Sequence, residues 1–193
     1  MIHRISQKIT DFLIFRGIVE KTDADIYIYG YETLISGIID FILTMAIGFL
    51  LKCPLNAFIF FVMFVSVRMY TGGYHAATYV RCKLTMILIL LAVLGLSFVE
   101  LPFSAISLLM VLLNITVFFQ APLENKNKPL DDMEKKKYHR ISIALSTLWG
   151  VVAITVYFFS INLSATMAVT AFFVVMLMIV EIYGKEANVN EKE

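Results

Sequence analysis

The chain has 193 residues, of which 60% are hydrophobic and 16% charged, and its mean hydropathy is +0.82. A soluble domain has about 45–50% apolar and about 25% charged residues, so this composition excludes a water-soluble fold and points to a polytopic membrane protein. The net charge of +1 carries no information about partners because it hides an asymmetry along the chain, and no nucleic-acid partner is expected.

The N-terminus repeats apolar residues at three to four positions (Ile2, Ile5, Ile9, Phe12 or Leu13, Ile18), the pattern of an amphipathic helix lying in the headgroup plane over residues 1–22. His3, Arg4, Lys8, Asp11 and Arg16 interrupt it and no small-residue cleavage site follows, so it does not read as a cleavable signal peptide. Thr22-Asp23-Ala24-Asp25 resembles an N-cap with an acidic third position, and Tyr27, Tyr29 and Tyr31 are then at interface depth.

Six transmembrane helices are expected beyond this point: 33–51, 54–70, 84–99, 103–120, 143–160 and 163–182. Each run is continuous and lacks the two-residue alternation of an outer-membrane strand. The predicted fold is all-α, one membrane domain over 1–193, with a six-helix core at 33–182 and a polar tail at 183–193. Links at 52–53, 100–102 and 161–162 are very short, whereas 71–83 and 121–142 are longer and polar. Of the 16 basic residues only Lys52 falls in the turns of the first kind, so both termini and both polar links are expected on the cytoplasmic side.

This topology puts Cys53 in an outer turn and Cys82 on the inner side, which excludes an intrachain disulfide. Cys53 reads as a small buried hydrophobe. Cys82 has Arg81 and Lys83 beside it and His75 seven residues upstream. Those neighbours favour a thiolate, and the imidazole is suited to take the thiol proton and return one to a leaving amine. In an unbroken helix seven residues span about 10 Å, so a working pair requires a bend or re-entry between them. Gly72-Gly73 permits a loop before His75 without proving one. Spacing alone leaves open a structural cysteine and histidine. The segment has no second Cys, His or carboxylate to complete a zinc site, so no metal or organic cofactor is expected. His3 and His139, beside Arg4 and Arg140, read as interfacial residues.

Asp40, flanked by Ile38, Ile39 and Phe41, is costly at that depth unless paired, hydrated or protonated. It reads either as a structural partner, with Arg68 the candidate, or as the group that orients His75. Residues 124–140 carry six basic and four acidic side chains, including Lys135, Lys136 and Lys137. Such residues hold a loop inside and touch anionic lipid of the bilayer.

Arg68, Thr71-Gly72-Gly73-Tyr74-His75-Ala76, Thr78 and Cys82 resemble the signature of the accessory gene regulator B (AgrB) family. Tyr29-Gly30-Tyr31-Glu32 and Asn127-Lys128-Pro129-Leu130 are similar to further family landmarks, so the likeness covers most of the chain. It implies a multi-pass cell-membrane cysteine endopeptidase of Gram-positive quorum sensing, with its active site facing the cytoplasm. Such an enzyme cuts a precursor peptide at the C-terminal side of the future signal and promotes thiolactone or lactone closure. The matching nucleophile is Cys82 and its partner His75; Arg68 and Gly73 match positions of less defined role. The resemblance also makes Lys135, Lys136 and Lys137 a docking surface for an acidic precursor tail, and it leaves room for a homodimer. The rival readings are a non-enzymatic peptide exporter or scaffold, and a member that hydrolyses without cyclising.

Overall fold

A computed structural model describes residues 2–72, 79–123 and 131–190, the side chains of 79–80 and 184–190 excepted. Among them the chain forms seven α-helices and no strand: α1 Ile2–Phe15, α2 Ala24–Leu50, α3 Pro54–Thr71, α4 Tyr79–Ser97, α5 Phe103–Gln120, α6 Asp132–Tyr157 and α7 Ile161–Asn190. They fall into two compact units, 1–46 and 47–193.

In the first unit α1 is the expected amphipathic helix, with Ile5, Phe12 and Phe15 exposed. It stops at Phe15 rather than continuing to residue 22, because Gly17 takes φ +68. There Gly17 N donates to Ile14 O (2.9 Å) and Ile18 N to Leu13 O (3.0 Å), the paired bonds of a left-handed glycine cap. His3 Nδ1 lies 2.6 Å from Glu32 Oε1, so α1 is tied to α2 through the acidic residue of the Tyr-Gly-Tyr-Glu run. α2 starts at Ala24, within the Thr22–Asp25 run where a new helix is expected, and a 3₁₀ turn at Lys21–Asp23, whose own cap residue Glu20 makes no side-chain cap bond, runs directly into it. α2 has 27 residues, about 40 Å at 1.5 Å per residue, more than a bilayer core of about 30 Å requires.

In the second unit a tight turn joins α2 to α3. Lys52 has φ 58, Cys53 N donates to Gly48 O at 2.8 Å, and Pro54 opens α3, where its missing N–H costs nothing. A Cβ on Gly48 would meet that of Ala57 at 2.5 Å, so glycine permits this close approach.

The buried centre of this unit is α7, which packs against α3, α4, α5 and α6. Ser164, Ala165, Ala168 and Ala171 are buried along it, small residues that let neighbouring helices come close. Polar side chains link the helices. Asn56 Nδ2 donates to Thr166 Oγ1 (2.7 Å), Trp149 Nε1 to Ser66 Oγ (3.1 Å), Ser146 Oγ to Asn114 Oδ1 (3.0 Å) and Ser164 Oγ to the Ala153 carbonyl (2.8 Å). Each such bond contributes on the order of 0.6 kcal/mol in a membrane bundle.

Among the described residues, five segments are long and apolar enough to cross a membrane: Lys21–Leu50, Pro54–Thr71, Phe103–Gln120, Asp132–Tyr157 and Ile161–Tyr183. The third expected span, 84–99, lies on α4, which carries Arg81 and Lys83 in its first turns and ends at Ser97. α6 is longer than its expected span. It starts at Asp132 rather than near 143, because Asp131 and Glu134 form a capping box: Asp131 Oδ1 accepts from Met133 N (3.2 Å) and Glu134 Oε2 accepts from Asp131 N (3.3 Å). α7 likewise continues to Asn190, past the expected end at 182.

Candidate active site

Chain direction alternates through the second unit, so the C-terminal end of α3 and the N-terminal end of α4 belong to the same end of their hairpin. Arg68 is in the last turn of α3 with its guanidinium over the Phe64 ring, 5.3 Å from the centroid, a cation–π arrangement. The α3 helix stops at Gly72, where φ is +72 and ψ −150. Gly72 N donates to Arg68 O (3.1 Å) and Leu123 N to Thr71 O (2.8 Å), and Gly72 forms an isolated parallel bridge with Leu123. The chain entering the 73–78 segment is therefore pinned to the residues that follow α5.

His75 and Gly73 lie outside the described residues, so the expected His75–Cys82 pairing is not located. Cys82 is on the first turns of α4 as a free, half-buried thiol, with Arg81 exposed and Lys83 half-buried beside it. Arg68 is within electrostatic reach of both Cys82 and Glu181 of α7. Of the residues expected at the site, Arg68 and Cys82 are thus within electrostatic range of each other, and Glu181 is a further charge within range of Arg68. Glu181 is legible in principle as an acid inside the run 163–182, since ionisable residues in membrane segments mark functional sites by default. Asp40 is half-buried in α2, within the first unit.

The remaining expected residues occupy α6. Lys135, Lys136 and Lys137 are not in a loop but on the first turns of this helix. Lys136 and Lys137 are exposed, and Lys135 Nζ is 4.0 Å from Asp132. His139, expected only as an interfacial residue, has its Nδ1 2.8 Å from the Ala121 carbonyl, and its ring tilts against Phe118 at 6.1 Å. Tyr138 meets Tyr70 edge to face at 5.5 Å. Together these contacts lock α6 to the ends of α3 and α5 that flank the Gly72–Leu123 junction.

Cys53 has a different environment. It is buried at the start of α3, and burial pushes its thiol above the ordinary range because desolvation disfavours the thiolate. Positions 53 and 68 are about 22 Å apart along α3, so the two cysteines cannot approach each other. Iodoacetamide at neutral pH is accordingly expected to label Cys82 to completion while Cys53 remains largely unmodified, as peptide mass spectrometry of the alkylated protein would show. Equal rates would contradict this difference in environment.

The family model of accessory gene regulator B matches residues 6–181. The chain belongs to the AgrB family. Two proteins of Clostridium perfringens named as AgrB-like are similar to it. That of strain SM101 (type A) is 29% identical over 145 residues, covering 71% of this chain and 68% of the relative. That of strain 13 (type A) is 28% identical over the same lengths. No solved structure matches. Membership of the AgrB family makes this a membrane protein and supports a role in autoinducer processing by the accessory gene regulator system.

Proposed function

We propose that the chain is a six-span membrane cysteine endopeptidase and peptide cyclase of a Gram-positive cell membrane, with both termini and its active site facing the cytoplasm. The observation that carries this reading is the family match over residues 6–181, which includes Cys82, a free, half-buried thiol on the first turns of α4. Cys82 acts as a thiolate, attacking the carbonyl at the C-terminal side of the future signal. The C–N bond breaks, the leaving amine takes a proton from His75, and the signal stays on Cys82 as a thioester. An internal thiol or hydroxyl of the precursor then gives its proton to His75 and attacks the thioester. A thiolactone or lactone forms and the Cys82 thiolate is released. Exclusion of water lets the tethered nucleophile outcompete hydrolysis. In this scheme Arg68 balances the thiolate.

The deciding experiment is coexpression with a candidate precursor followed by mass spectrometry. A product one water lighter than the linear cleaved peptide supports the cyclase. A cleaved linear product supports the hydrolytic rival, and unprocessed precursor outside the cell supports an exporter or scaffold.

Lys135, Lys136 and Lys137 receive the acidic precursor tail. Exposed charges set encounter more than chemistry, so replacing all three by Gln is expected to raise the precursor concentration needed for half-maximal processing about threefold or more. The rate at saturation should change little. A lowered saturating rate at unchanged half-maximum would remove the docking role.

A further inference from the structure

Glu181 follows Val174, Leu177 and Met178 by seven, four and three residues, and all three are buried. The helical repeat therefore carries it along the face that α7 turns into the bundle, where α7 packs against both α3 and α4. Glu181 is half-buried, and a carboxylate in such an apolar helix is costly without a cationic neighbour. Asn56 of α3 bonds Thr166 of α7, which fixes these two helices against each other, and Arg68 of α3 lies within electrostatic reach of both Glu181 and Cys82. One face of Arg68 already rests on Phe64. Its planar fork of five N–H donors, in a fixed geometry, is suited to serving two anions at once.

We propose that Glu181 is a positioning residue that holds the Arg68 guanidinium toward Cys82, a role that rests on the peptidase reading above. Glu181 touches neither the precursor nor the reacting atoms and acts through Arg68. A long arginine side chain released from such a hold swings toward water or lipid headgroups, and the thiolate loses its counter-charge.

The sign of the effect separates positioning from simple electrostatics. Removing a negative charge near Cys82, with nothing else changed, favours the thiolate and speeds its alkylation. Losing the placement of Arg68 slows it. The test uses the full chain with Cys53→Ala, purified in detergent, and measures iodoacetamide modification of Cys82 at pH 7. Glu181→Gln is expected to slow modification at least about twofold, and its effect should vanish in an Arg68→Gln background, since contacting residues show coupling and independent ones do not. Glu181→Asp keeps the charge and should retain more of the rate than Gln.

Modification as fast as or faster than the parent in Glu181→Gln overturns the proposal, as does a double variant whose losses simply multiply. If Glu181→Gln does not elute as a monodisperse species, the same cycle run with Glu181→Asp decides between coupling and independence. Alkylation requires no precursor, so failure of the peptidase reading is recognised separately, as processing that survives Cys82→Ala.

Discussion

Cys82→Ala is expected to abolish both cleavage and ring closure, lowering the processing rate by at least about 10³-fold, the scale on which loss of a catalytic nucleophile acts. The acyl intermediate needs a thiolate, and no other thiol can take over. Cys53 is the second of the two cysteines, is buried at the opposite end of α3, and is kept in its neutral form by desolvation. Cys82→Ser should retain at most a trace of activity, because a serine hydroxyl lacks the thiol's accessible anion. His75→Ala should fall by a factor of about 10² to 10⁴, the usual contribution of a general acid–base, while Cys53→Ala keeps wild-type processing. The measurement is the precursor coexpression of these four variants, read as masses of intact, linear and dehydrated peptide. Cleavage that persists in Cys82→Ala would sink the nucleophile assignment, and loss in Cys53→Ala alone would move it to the other cysteine.

The parts of this molecule written in local pattern are legible in its sequence. The three-to-four-residue repeat of Ile2, Ile5 and Ile9 corresponds to α1, and the apolar runs at 54–70 and 103–120 correspond to α3 and α5 with ends displaced by at most a residue. Charge obscures the start of α6. Residues 132–142 are polar enough to pass for a link, yet Asp131 and Glu134 cap a helix through them, and caps act through local hydrogen bonds that hydropathy does not register. The end of α1 escapes the pattern for a related reason, since Gly17 stops the helix by its positive φ while the apolar repeat runs on to Ile18. At the site, Arg68 and Cys82 stand out by motif, and their proximity depends on the packing of α3 and α4. Glu181, on α7, comes within electrostatic reach of Arg68, and His139 reaches the Ala121 carbonyl across the link between α5 and α6. Neither partnership is encoded in nearest-neighbour pattern.

Among the described glycines of the second unit, Gly72→Ala should produce the largest structural effect. With φ +72 and ψ −150 the residue occupies a region that is essentially glycine's alone, at a cost of about 1–3 kcal/mol for a side-chain-bearing residue. The clash adds to this. A Cβ at this position would lie 2.2 Å from the Leu123 carbonyl oxygen and 3.1 Å from its carbon, and a backbone group cannot rotate aside as a flexible side chain does. Accommodating alanine therefore means parting Gly72 from Leu123, which breaks the bridge and the 2.8 Å bond from Leu123 N to Thr71 O. That junction sets where the chain enters the segment bearing His75, so processing should fall about tenfold or more, as misplacement of a catalytic group predicts. Gly95→Ala is the matched control. It lies inside α4, where an added Cβ would meet nothing within 4 Å, and helix propensity makes it neutral or stabilising by up to about 1 kcal/mol. Unfolding of both variants in detergent, followed beside precursor processing, separates the two cases. Wild-type stability and processing in Gly72→Ala would show that the Gly72–Leu123 junction constrains neither the fold nor the site, and that the His75 segment takes its position from α4 alone.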